Sequence, residues 1–154
     1  MLFHGTCLCG EITFQVDNDP IVISCCHCSN CKKYTGTAFS TNVIFPGGSL
    51  TFIKGENLLS TYKDAAQDSG NSIKRIFCSK CGSPLYNEGG DDAKTVSVFY
   101  SALIDFTTED EKNRKPELEF YTKDRLEWVH AVKGAEQSET IPGRDTLRNI
   151  GLQT

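Results

Sequence analysis

Residues 25–33 read CCHCSNCKK: four cysteines and a histidine in seven positions, followed by two lysines. How this stretch is read decides how the rest of the chain is read. The chain has 154 residues and eight cysteines. That length suits one domain, residues 1–154, and buries enough surface to fold without covalent staples. Eight cysteines therefore exceed what stability asks for. The four outside the stretch fall in two groups, Cys7-x-Cys9 followed by Gly10, and Cys78-x-x-Cys81 followed by Gly82.

The glycines separate the groups. A metal knuckle turns tightly after its second cysteine, with backbone amides aimed at sulfur, and glycine accepts the positive φ such a turn needs. Cys7, Cys9, Cys78 and Cys81 then form a matched pair of knuckles, enough for a closed tetrahedral zinc site. Cys26, Cys28 and Cys31 remain as three thiolates on one short loop. Three protein ligands leave a tetrahedral corner open, the mark of a catalytic rather than a structural zinc. A competing partition pairs Cys28 and Cys31 with Cys78 and Cys81 as a zinc ribbon, leaving Cys7 and Cys9 to Cys25 and Cys26 or idle. Spacing alone permits it, and the glycine pattern weighs against it. His27 lies between two ligand cysteines, so its side chain is expected to point away, beside the site or onto the surface. Cys25 is either a buried spare thiol or a nucleophile next to the site.

Formal net charge is -4 and the pI about 5.4. An acidic chain argues against nucleic acid as a partner. No apolar run approaches the roughly 20 residues of a membrane span. The start, MLFHGTCLCG, lacks the charged and apolar regions of a secretory signal, so a cytoplasmic protein is expected. In a reducing compartment, clustered cysteines point to metal or redox chemistry rather than disulfides.

Period-two alternation recurs in EITFQV (11–16), FSTNVIF (39–45), LTFIK (50–54), LLSTY (58–62), IKRIF (73–77), TVSVFYSAL (95–103) and LEFYT (118–122). These read as short strands rich in β-branched and aromatic residues. Turn signals separate them, at residues 17–20, 46–48, 69–71 and 89–92. No long helical period appears, and at most a short helix follows Pro142-Gly143 or lies near Lys123-Asp124. The expectation is a mainly β fold of short antiparallel strands. Residues 107–117, TTEDEKNRKPE, read as a solvated loop, and residues 135–154 as a loosely held polar tail.

The order GTCLCGEITF, CCHCSNCKKYTGTAFSTNVIF, FCSKCGSPLY and YTKDRLEWV resembles the glutathione-dependent formaldehyde-activating enzyme family, which also takes in proteins like centromere protein V. The motifs cover about residues 3–132. The resemblance implies a β-tent fold of small antiparallel sheets held by a four-cysteine zinc site, matching Cys7, Cys9, Cys78 and Cys81. It implies a second, catalytic-type zinc matching Cys26, Cys28 and Cys31. Cys25 is an addition to the motif. Asp124, Arg125 and Trp128 match a family motif, and a lone tryptophan there is expected to pack the core edge.

The implied activity joins glutathione, as co-substrate, to formaldehyde in a carbon–sulfur lyase-type reaction giving S-hydroxymethylglutathione. Glutathione carries two carboxylates, so Lys32 and Lys33 are candidate contacts, with Lys74, Arg75 and Lys80 as further cations that otherwise read as solvated surface. Residues 34–42 would line the pocket, although Phe39 equally reads as core. Two alternatives stand beside this: the same fold acting on another small thiol or aldehyde, and a non-catalytic zinc module.

Overall fold

Alternation builds the first sheet. In LFHGT and TFQVD every second residue, Phe3, Gly5, Phe14 and Val16, is buried while its neighbours are more exposed. The structure, a computed structural model, describes residues 1–67, 70–89, 94–107 and 114–142. The described strands are β1 (Leu2–Thr6), β2 (Thr13–Asp17), β3 (Val22–Cys26), β4 (Ser40–Pro46), β5 (Leu50–Lys54), β6 (Leu59–Asp64), β7 (Ile73–Cys78), β8 (Pro84–Gly89), β9 (Thr95–Phe99), β10 (Leu118–Phe120) and β11 (Glu136–Gln137). Two short helices, α1 (Ser29–Thr35) and α2 (Ile104–Thr107), join them.

The strands form a three-stranded sheet, β1-β2-β5, and an eight-stranded sheet, β11-β10-β3-β4-β9-β8-β7-β6. One core lies between the sheets. Phe3, Ile12, Phe14 and Val16 pack against Ile23, Val43, Phe45, Ile76, Val96 and Val98. Burying each such side chain contributes about 1.5–3 kcal/mol. Aromatic contacts tie the layers: Phe3 to Phe45 at 5.7 Å between ring centres and Phe52 to Tyr86 at 6.2 Å.

The opposite face of the large sheet is polar at its centre. The register places Ser24 opposite Asn42, Ser97 opposite Asn87, and Asn87 opposite Arg75. Buried sheet centres normally carry apolar residues, so this stripe marks where the fold serves something besides packing.

Several expectations are corrected. The larger sheet is mixed, because β10 runs parallel to both β3 and β11, while β1-β2-β5 is antiparallel throughout. The larger sheet is eight strands wide. β3 is buried at every position, so it shows no alternation. β8 opens on Pro84, a position where a strand tolerates proline. The strand read through residues 95–103 stops at Phe99 and turns as a 3-10 helix, Tyr100–Ala102. α1 has no buried residue and hence no apolar stripe to reveal it. The turn near Lys123-Asp124 is a 3-10 helix, Thr122–Asp124.

The start of the tail is tied down. β11 pairs with β10, and the Tyr121 and Thr122 amides donate to the Thr140 and Ser138 carbonyls. Trp128 is 70% exposed and does not pack the core edge. The readings for residues 69, 90–92, 108–113 and 143–154 lie outside the described residues. No helix among the described residues is long and apolar enough to cross a membrane.

Candidate active site

All eight cysteines are free thiols. Seven of them gather in two groups. The sulfurs of Cys7, Cys9, Cys78 and Cys81 lie within 4.8 Å of one another. Cys7 Sγ and Cys9 Sγ are 3.4 Å apart, and Cys9 Sγ and Cys78 Sγ 3.9 Å. A tetrahedron with metal–sulfur bonds of about 2.3 Å has edges of roughly 3.8 Å, so the donor set fits zinc. Cys7 and Cys9 sit in the turn between β1 and β2. Cys78 ends β7, and Cys81 lies in the turn to β8. The group therefore pins the small sheet to the large one.

Gly10 and Gly82 adopt φ of 73° and 75°. Their amides donate to the Cys7 and Cys78 carbonyls at 3.0 and 2.8 Å, closing each turn. The Ile12 amide reaches Cys7 Sγ at 3.3 Å. The Ser83 hydroxyl, 3.2 Å away, leads in holding the Cys81 thiol down to about 6 against burial.

Cys26, Cys28 and Cys31 form the second group, also within 4.8 Å, and no fourth ligand joins them among the described residues. Cys26 ends β3. Cys28 caps α1, its sulfur accepting the Cys31 amide at 3.3 Å. The cap holds the loop open as a claw. Cys28 and Cys31 thus belong to one group and Cys78 and Cys81 to the other, so the ribbon pairing does not form. Cys25 is buried against Thr41, its sulfur 3.8 Å from the hydroxyl. Burial pushes its thiol up to about 11, away from thiolate character.

His27 is fully buried, not on the surface. Its Nε2 donates to Glu119 Oε1 at 3.0 Å, and its ring packs on Phe39. Glu119 Oε2 accepts from Arg125 at 2.9 Å, from the Val132 amide at 3.1 Å and from Gln137 at 2.6 Å. Burial alone would raise the Glu119 carboxyl. Gln137, His27, Val132 and Arg125 together bring it below the usual range. This network anchors the three-cysteine loop to β10.

Arg75 is not a surface cation. It is 1% exposed. Its Nε donates to Asp64 Oδ2 at 2.8 Å, its guanidinium stacks 4.9 Å over the Tyr34 ring, and its other two nitrogens lie 4.0 Å from Cys31 Sγ. Cys26 and Cys28 draw the Cys31 thiol well down, burial opposes them, and Arg75 reinforces the effect. Hydrogen bonds to Cys28 and Cys31, together with burial, drive the Cys26 thiol up.

A cavity of about 160 Å³ opens beside this group, lined by Ser24, Cys26, Cys31, Asn42, Arg75 and Asn87 among others. Ser24 Oγ, Asn42 Oδ1 and Asn87 Oδ1 have no hydrogen-bond partner. Each buried orphan costs about 1–3 kcal/mol. Three of them around one cavity mark a binding site rather than a packing defect.

The lysines divide. Lys32 Nζ donates to the Asp124 carbonyl at 2.8 Å, which ties α1 to the 3-10 turn. Lys33 is exposed and lines a neighbouring hollow of about 300 Å³ with Asn30, Tyr62 and Arg75. Lys80 pairs with Glu11 at 3.1 Å. Of residues 34–42, Asn42 lines the cysteine cavity. Phe39 lines a different hollow of about 350 Å³. Sequence reasoning missed Ser24, Asp64, Asn87 and Glu119. Polar residues inside strands were the available signal for the first and third.

Comparison with known proteins supplies a context for this geometry. The model of a family described as glutathione-dependent formaldehyde-activating enzyme matches residues 2–124. A Halomonas elongata protein named "Putative glutathione-dependent formaldehyde-activating enzyme" is 27% identical over 146 residues, covering 93% of this chain and 88% of that one. A Schizosaccharomyces pombe protein named an "Uncharacterized lyase" is 29% identical over 84 residues, 54% of this chain and 56% of its own. A Rhodobacter sphaeroides crystal structure shares the fold, with a TM-score of 0.55 and 20% identity over 73% of this chain and 97% of that one.

Proposed function

Because the chain belongs to the glutathione-dependent formaldehyde-activating enzyme family, we propose that it joins the glutathione thiol to formaldehyde at Cys26, Cys28 and Cys31. The product would be S-hydroxymethylglutathione, and the reaction is of the carbon–sulfur lyase type. One observation carries this reading: three thiols converge within 4.8 Å with no fourth ligand among the described residues, on the wall of a cavity with unpaired polar groups. Cys7, Cys9, Cys78 and Cys81 would hold a second, structural zinc, and the whole is read as a β-tent.

Thiolate donors suit zinc over magnesium or calcium. A zinc ion in the open group would lower the pKa of a thiol and polarise an aldehyde oxygen. The chain's own residues do the rest. Arg75 offsets the negative charge of three thiolates, and Asp64 keeps its guanidinium oriented. Asn30 supports Asp64 with its amide, donating to both carboxylate oxygens at 3.1 Å. A tripeptide exceeds a 160 Å³ cavity. The adjoining hollow shares Arg75 with that cavity and offers Lys33 to a carboxylate. Free cysteines throughout support a cytoplasmic setting.

The test is exchange spectroscopy with isotopically labelled formaldehyde and glutathione. Zinc-loaded protein should raise the exchange rate well above the spontaneous one, and Cys28→Ser should abolish the gain. A rate equal to the spontaneous one overturns the proposal. The small cavity also suits another short aldehyde or a smaller thiol, which the same measurement on a substrate panel separates.

A further inference from the structure

The polar stripe has a chemical sign. Asn42 donates its Nδ2 to Ser40 Oγ at 2.9 Å, and its Oδ1 is left without a partner. Asn87 Oδ1 is likewise unpaired, and so is Ser24 Oγ on the strand position facing Asn42. Ser24 and Asn42 are 0% and 6% exposed, so bulk water does not satisfy them. Amide oxygens only accept, so the groups that complete Asn42 and Asn87 are O–H or N–H donors, while the Ser24 hydroxyl both donates and accepts. The guanidinium on the same wall is already turned to Asp64 and Cys31.

A free aldehyde carries no donor. Its hydrate carries two hydroxyls, and a hydroxymethyl thioether carries one. Size narrows the choice further. A cavity near 150 Å³ holds about a benzene, six non-hydrogen atoms, and this one is about 160 Å³. It admits a one-carbon diol or the hydroxymethyl end of a thiol adduct, and excludes a tripeptide.

We infer that Ser24, Asn42 and Asn87 form a hydroxyl-recognition subsite, which receives the one-carbon hydroxyl of the substrate beside Cys26 and Cys31. The inference rests on the reading that a thiol enters at the three-cysteine group. These residues determine specificity: they select a hydroxyl over an alkyl group carried within reach of the sulfur.

Two thiols of equal size test it, 2-mercaptoethanol and 1-propanethiol, which differ only in a hydroxyl against a methyl. Each is titrated calorimetrically into zinc-loaded wild-type protein, Ser24→Ala and the Ser24→Ala/Asn42→Leu pair. Wild type should bind 2-mercaptoethanol at least tenfold more tightly. The ratio should fall below about threefold in the double variant, with 1-propanethiol affinity kept. Ser24→Ala should not lower the melting temperature, because it removes only an unpaired polar atom, whereas Asn42→Leu also removes the hydrogen bond to Ser40 and should lower it. Ser24→Ala, a one-atom deletion, keeps the test sound if the double variant folds poorly. Equal binding of the two thiols to wild type, or a preference that survives in the variants, overturns the subsite alone. If neither thiol binds wild type, the reading of the three-cysteine group fails, and the subsite with it.

Discussion

The two terminal nitrogens of Arg75 lie 4.0 Å from Cys31 Sγ, while its Nε is held by Asp64 at 2.8 Å. The guanidinium thus bridges a carboxylate and a thiolate inside the protein. Arg75→Lys keeps the charge and loses the fork. Zinc affinity at the three-cysteine group should fall about tenfold, as for other residues that orient metal ligands. Competition with a chromophoric chelator measures this. Arg75→Met leaves the buried Asp64 carboxylate without its cation, held only by amides such as Asn30, and should cost about 3 kcal/mol in a denaturant melt. An unchanged zinc affinity in Arg75→Lys would make the residue purely structural.

The two cysteine groups should respond differently to loss of a ligand. The four-cysteine group joins the two sheets, and a structural zinc contributes on the order of 10 kcal/mol, comparable with a domain's whole net stability. Cys81→Ser should therefore leave the chain unfolded by circular dichroism. Cys28→Ser should keep the fold and drop elemental zinc from two to one per chain. Unfolding of Cys28→Ser would instead make the open group structural.

Gly82 turns the chain after the second knuckle at φ 75°, with no heavy atom within 4 Å of where a Cβ would sit. Space is free, so only backbone strain opposes a side chain. Gly82→Ala should cost about 1–2 kcal/mol. Gly82→Asn should cost less, because asparagine tolerates the left-handed region. Equal losses for the two would point to something other than φ.

Glu119 ties the His27 loop to the last strands, and its folded carboxyl is held below the ordinary 4.5. A carboxylate depressed on folding stabilises above its unfolded pKa, and that contribution disappears as pH falls through the folded value. Glu119→Gln should cost about 3 kcal/mol at neutral pH. The gap to wild type should narrow as pH falls below about 4.5. Proton-driven loss of metal affects both proteins alike and cancels in the difference. A gap independent of pH would show that the carboxylate's charge is not what anchors the loop.

Much of the fold was legible because its strands are rich in β-branched and aromatic residues between turn signals, and β2 buries one face in visible alternation. β2, β4, β5 and β7 were read from EITFQV, FSTNVIF, LTFIK and IKRIF to within a residue or two at each end. β3 was not, since VISCC is buried on both faces and carries no period. The parallel pairing of β10 with β3 joins residues more than ninety positions apart in the chain, and no local pattern encodes such a contact.

The site divides along the same line. Cysteine spacing and the glycines after Cys9 and Cys81 reflect ligand geometry within a few residues, so the sequence by itself determined which thiols share a knuckle, while the tertiary structure decided which knuckles meet. Arg75 read as a candidate anion contact or a solvated surface cation, His27 as a residue beside the site or on the surface, and Ser24 and Asn87 as nothing at all. Only the tertiary structure decided their roles. Burial and partners depend on which strands become neighbours, and a charge or an amide acquires its chemistry from what surrounds it once water is excluded.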